Sequence, residues 1–111
     1  MTEKTELLAR TYRALTERDV ETVVAMVDPS ITIWQTEELP WGGRYEGLDG
    51  FAEFFGKLSG TITSAVEVED IFEAGDHVVE TGFTRGTVNS TGVAFDVREV
   101  HVWELRDGKA V

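Results

Sequence analysis

The chain contains no cysteine. That excludes disulfides, thiolate metal sites, thiol nucleophiles and iron–sulfur clusters together. Positive charge is scarce: 10 lysines and arginines stand against 21 acidic residues, a formal net charge of −11. Such a surface repels phosphate backbones and anionic lipid, so no nucleic acid and no membrane is expected as a partner. No apolar run approaches the ~20 residues that span a bilayer. The opening MTEKTELLAR is charged and lacks the apolar centre of a secretion signal. These absences predict a cytoplasmic protein. No GxGxxG, P-loop or GxSxG string occurs, so neither a nucleotide cofactor nor serine-hydrolase chemistry has support, and no cofactor is expected. The two histidines, His77 and His101, stand apart and without cysteines, so no metal site is expected either.

What is present suits one folded domain over residues 1–111. The length of 111 residues, with 41% apolar residues and six phenylalanines, can bury a core and one modest pocket. Leu7, Leu8, Tyr12 and Leu15 mark the apolar stripe of a first helix that ends near Arg18. Asp19 is a good N-cap for a second, shorter helix with Val20, Val23, Val24 and Val27 inward, stopped by Asp28-Pro29. Ile31 to Trp34 reads as a short strand. A glycine-rich connection through Trp41 and Tyr45 follows, then a third helix carried by Phe51, Phe54, Phe55 and Leu58.

From Ile62 the pattern changes to three long strands, roughly Ile62–Glu73, His77–Val88 and Val93–Leu105, separated by turn residues. Asp107-Gly108 is a strong hairpin turn, because both central residues of a type I′ turn need positive φ. The strand after it is shortened, since the sequence ends at Val111. Helices followed by a meander of long strands predict an α+β fold: three helices packed on a strongly curved antiparallel sheet, with a cone-shaped pocket between them.

The strings RDVETVVAMVDPSITI, LPWGGRYEGLDGFAEFF, FEAGDHVVETG and VHVWELRDGKAV occur in the order found in the nuclear transport factor 2-like superfamily. Together they cover nearly the whole chain, and within that superfamily the chain resembles the SnoaL-like polyketide cyclases. The resemblance implies the cone fold of ketosteroid isomerases. It does not imply one activity, because the fold hosts isomerases, cyclases, dehydratases, epoxide hydrolases and non-catalytic binders.

Alternation along the third long strand puts Phe95, Val97, Glu99, His101, Trp103 and Leu105 on one face, assigned to the concave side by their bulk. Glu99 and His101 are then a candidate acid–base pair, about 6.5–7 Å apart along the strand. The competing reading is a packed histidine satisfied by a neighbouring acid. By the resemblance, His101 takes the strand position where ketosteroid isomerases hold an oxyanion-binding acid. The same comparison counts against steroid isomerisation, since the place of the family's catalytic aspartate falls at Trp34-Gln35. Glu37 and Glu38 read as a solvated loop, and no spacing singles out Asp70, Arg85, Asp96 or Arg98. Tyr12 lies near the family's first-helix tyrosine. Trp34, Trp41, Tyr45, Phe83, Trp103 and Tyr12 are the candidate ligand-binding walls, suited to a planar apolar molecule. Two functions stay open: a cofactor-independent isomerase, cyclase or dehydratase acting on an apolar carbonyl compound, and a non-catalytic binding or dimerisation module. A homodimer is expected through the outer sheet face at Val100 and Val102.

Overall fold

In a computed structural model, which describes residues 2–111, the elements run α1 (Glu3–Thr16), α2 (Val20–Ala25), β1 (Thr32–Gln35), β2 (Gly43–Glu46), α3 (Gly47–Thr61), β3 (Ile62–Ala74), β4 (His77–Val88), β5 (Ala94–Arg106) and β6 (Lys109–Ala110). The α+β architecture expected from the pattern is observed. Strands β3-β4-β5-β6 form one antiparallel meander, and β1 and β2 form a separate hairpin.

Local chemistry explains most boundaries. Thr2 caps α1 by accepting from the Thr5 N–H, and Thr5 returns the bond. The Asp19 side chain accepts from the Thr22 N–H at 3.2 Å and starts α2. Asp107 and Gly108 both have positive φ, 53° and 77°, as a type I′ turn requires. The strand β4 has the expected bounds, His77 to Val88.

Three expectations need correction. The glycine-rich connection holds a strand: β2 pairs with β1, Trp34 opposite Arg44 and Ile33 opposite Tyr45. Helix α3 starts at Gly47, four residues before its phenylalanine stripe. In α2 only Val23 is buried; Val20 and Val24 are exposed, because a helix of six residues lying over the end of the core has just one inward position per turn.

The core gathers Leu8 and Tyr12 of α1, Met26, Val27 and Ile31 after α2, Val78 of β4, Leu105 of β5 and Ala110 of β6. Helix α1 packs on β3 and β4, and α3 bridges the hairpin and β3. A bulge between Val68 and Asp70 bends β3 where it passes α1. The final strand is two residues long, yet it is held firmly. Ala110 N–H donates to the Met26 carbonyl, Asp28 N–H to the Ala110 carbonyl, and Thr32 N–H to the Val111 carbonyl.

Candidate active site

Strand register builds the site. Glu80 of β4 lies directly opposite His101 of β5, and Gly82 directly opposite Glu99. One row further along, Val78 lies opposite Trp103. All six occupy the inner face of the sheet, beneath α1. The sequence assignment of Glu99, His101 and Trp103 to that face therefore holds. Gly82 is required there. A Cβ on it would collide first with the Glu67 carbonyl oxygen of β3, and would also crowd Glu80 Oε2 at 2.8 Å and Glu99 Oε1 at 3.0 Å.

His101 Nδ1 is the hub. It lies 2.8 Å from Tyr12 Oη, 3.1 Å from Glu80 Oε1 and 3.2 Å from Glu99 Oε2. Trp103 Nε1–H donates to Tyr12 Oη at 2.9 Å, which leaves the phenol proton directed at Nδ1 or at a carboxylate. One imidazole nitrogen carries one hydrogen position, so it cannot satisfy Tyr12, Glu80 and Glu99 together. All four carboxylate oxygens of Glu80 and Glu99 are buried without a hydrogen-bond donor of their own.

Burial sets the protonation. It pushes the Glu80 carboxyl up to about 8, with the adjacent Glu99 carboxyl adding to the rise. Burial also lowers His101, opposed in part by Glu99, which favours the neutral ring, so its contacts with the acids are not ion pairs. The Tyr12 phenol is raised, by burial first and then by the two carboxylates, which keeps it a donor. Glu80 thus holds a proton at neutral pH. His101 is 35% exposed at its side chain, so one edge of the ring is reachable while Nδ1 is engaged. Beside this cluster a cleft of about 230 Å³ runs between α1 and β3, lined by Ala9, Tyr12, Thr16, Val66, Val68 and Ile71, with Arg13 at its edge.

The other candidate walls are scattered. Tyr45 is buried, but in a satellite cluster: its ring packs edge-on to Phe54, 5.5 Å between centroids, and its hydroxyl donates to the Trp41 carbonyl. Trp41 is half-buried in the same hairpin. Trp34 is 69% exposed and lines nothing, since its position in a two-stranded edge hairpin turns it to solvent. Phe83 is on the outer face, sandwiched between the guanidinium groups of Arg85 and Arg98 at 4.8 and 4.5 Å. Arg85 in turn pairs with Glu67 and Asp96. This cation–π stack gives a bulky aromatic a stable place outside the core.

Sequence reasoning missed Glu80. In HVVETGFTRG the inward set is Val78, Glu80, Gly82, and the outward set Val79, Thr81, Phe83, so the apolar signal points the wrong way. The usable signal was pairing: a hairpin closed at Val88–Val93, joining two strands of matching length, places Glu80 against His101.

The comparisons agree with this architecture. The chain matches the SnoaL-like domain over residues 8–111 and belongs to that family. It superposes on a nuclear transport factor 2-like protein of unknown function from Burkholderia pseudomallei with a TM-score of 0.88 and 24% identity, covering 99% of this chain and 86% of that one. TerC, crystallised with polyporic acid, gives 0.86 and 25%, covering 98% and 86%. A putative SnoaL-like polyketide cyclase from Shewanella putrefaciens gives 0.77 and 18%, covering 99% and 85%. No curated protein matches the sequence. Among the described residues no helix is long and apolar enough to cross a membrane.

Proposed function

We propose that the chain binds a small apolar carbonyl compound in the cleft beside Tyr12 and moves a proton on it without a cofactor, as an isomerase, cyclase or dehydratase does. The observation that carries this reading is the Tyr12–Glu80–Glu99–His101 cluster, a set of interlocked proton carriers that meets an apolar cleft through Tyr12. A neutral His101 takes a proton from the carbon next to the carbonyl, the C–H electron pair becomes the C=C bond of an enolate, and the carbonyl π pair moves onto the oxygen. Glu99 and Glu80 orient the ring and stabilise the imidazolium that forms. Trp103 fixes Tyr12, which lines the cleft. A small-molecule ligand also accords with the co-crystallisation of TerC with polyporic acid.

The test is deuterium wash-in. A panel of cyclic and aryl ketones is incubated with the protein in heavy water and followed by NMR. Exchange above the buffer rate, lost in His101→Ala, is the expected result; no exchange on any ketone, or exchange unchanged in His101→Ala, refutes it. Ligand-dependent quenching of tryptophan fluorescence without exchange favours the non-catalytic binder.

The outer sheet face supports a second element of the reading, a homodimer. Val100 and Val102 are more than half exposed there, and Phe72 lies in the same cross-strand row as Val102. Exposed apolar residues clustered on a flat face are the usual material of an isologous interface. Sedimentation is expected to give a dimer at micromolar concentration and a monomer for Val102→Glu; a wild-type monomer removes this element.

A further inference from the structure

We propose that Glu80 Oε1, Glu99 Oε2 and His101 Nδ1 form a binding site for a first-row divalent cation of the zinc and cobalt type. The three side chains offer donor atoms that all lie within 4.8 Å of one another. The separations fit one ion. Donors about 2.0–2.2 Å from a metal, at tetrahedral to octahedral angles, stand about 3.0–3.5 Å apart. The observed distances from Nδ1 are 3.1 Å to Glu80 and 3.2 Å to Glu99.

Burial supplies the independent argument. The Glu80 side chain is fully inaccessible, and neither of its oxygens has a donor. The same holds for both oxygens of Glu99. Two buried acids side by side without donors are costly whether charged or sharing a proton, and a cation that displaces the proton offsets that cost for both. The space is also preformed. Gly82 presents no side chain beneath the carboxylates, and the three donors sit on two paired strands rather than on loops. One imidazole with two carboxylates suits zinc, cobalt or manganese; calcium prefers oxygen alone, and copper(I) prefers sulfur. Tyr12, fixed by Trp103, lies with its ring parallel to the imidazole and gives up its bond to Nδ1 when the cation binds.

The histidine spacing in the sequence suggested no metal because the donors come from neighbouring strands. The inference goes beyond the acid–base reading. A cation on Nδ1 occupies the same lone pair that Tyr12 addresses, so the cation-bound protein is a distinct, silenced state of the site.

The experiment uses the full chain, stripped with EDTA and dialysed. Zinc is titrated by calorimetry in moderate salt, which suppresses binding to surface carboxylates. Cobalt is followed by visible absorption and by paramagnetic broadening of the histidine imidazole signals. The expected result is one ion per chain, with broadening at His101 and not at His77. Affinity falls by at least ~10-fold in Glu80→Gln and in Glu99→Gln and is unchanged in His77→Gln. Circular dichroism checks that each variant folds, and the wild-type broadening pattern stands by itself should a variant not fold. Absence of saturable binding at millimolar metal, broadening centred on His77, or affinity equal in folded Glu80→Gln overturns the proposal. None of these readouts depends on ketone exchange, so the two readings fail separately.

Discussion

The two faces of the four-stranded sheet invert the usual rule of burial. The inner face hides Glu80, Glu99 and most of His101 beneath α1, while the outer face leaves Val100, Val102 and Phe72 in solvent. Each arrangement is unfavourable for an isolated chain: buried acids lose hydration, and exposed valines gain nothing. A sequence that tolerates both on one sheet has spent stability on each face for something other than folding. The inner face concentrates proton carriers. The outer face presents an apolar area that another surface can cover.

Three measurements sharpen or break this contrast. The largest effect is expected from pH, in chelator-treated protein. Glu80 is raised from its usual 4.5 to about 8, facing Tyr12 from α1 and Glu99 and His101 from β5. Below pH 4.5 folded and unfolded chains both hold this proton. Between 4.5 and 8 only the folded chain keeps it, so Glu80's contribution to stability declines as pH rises through that window and levels off above it. Urea unfolding at stepped pH is expected to show the decline, and Glu80→Gln is expected to flatten it. A wild-type profile already flat from pH 5 to 8 contradicts the buried-acid picture.

Next in size is Gly82→Ala. The added methyl meets both carboxylates and the β3 backbone, and a loss of about 3 kcal/mol is expected on denaturant unfolding. A loss under about 0.5 kcal/mol contradicts the close approach of β3 and the carboxylates to Gly82. The smallest effect is the most direct comparison, Val78→Ala against Val102→Ala. The same two methyl groups are removed from opposite faces of adjacent strands, one fully buried and one 64% exposed. The inner change is expected to cost about 2 kcal/mol, and the outer one at most about 0.5 kcal/mol at concentrations where the chain is monomeric. Equal losses erase the distinction between the faces.

Much of the fold was legible because its signals are local. Asp107-Gly108 demands its turn, Asp19 its helix start, and alternation from Phe95 to Leu105 puts Glu99 and His101 inward. The site was half legible. Periodicity works on one strand at a time, and the decisive neighbour of His101 comes from β4, where bulk pointed to Phe83 and the inward residues are Glu80 and Gly82. Aromatic content misled for a related reason. Trp34 and Tyr45 belong to a hairpin with its own small cluster, and nothing in their spacing reveals which cluster a tryptophan joins.

The seam that joins residues 26–32 to residues 110–111 has a kinetic consequence. Its hydrogen bonds, from Ala110 to Met26 and from Asp28 back to Ala110, close a loop of 110 − 28 = 82 residues. The entropy of closing such a loop must be met before those bonds form. The segment from α2 into β1 is therefore expected to complete its structure late, after the β3–β4–β5 meander has zipped from its own turns. A label on residues 26–32 is expected to report the final phase of refolding, while one on the Gly75 turn reports an early one.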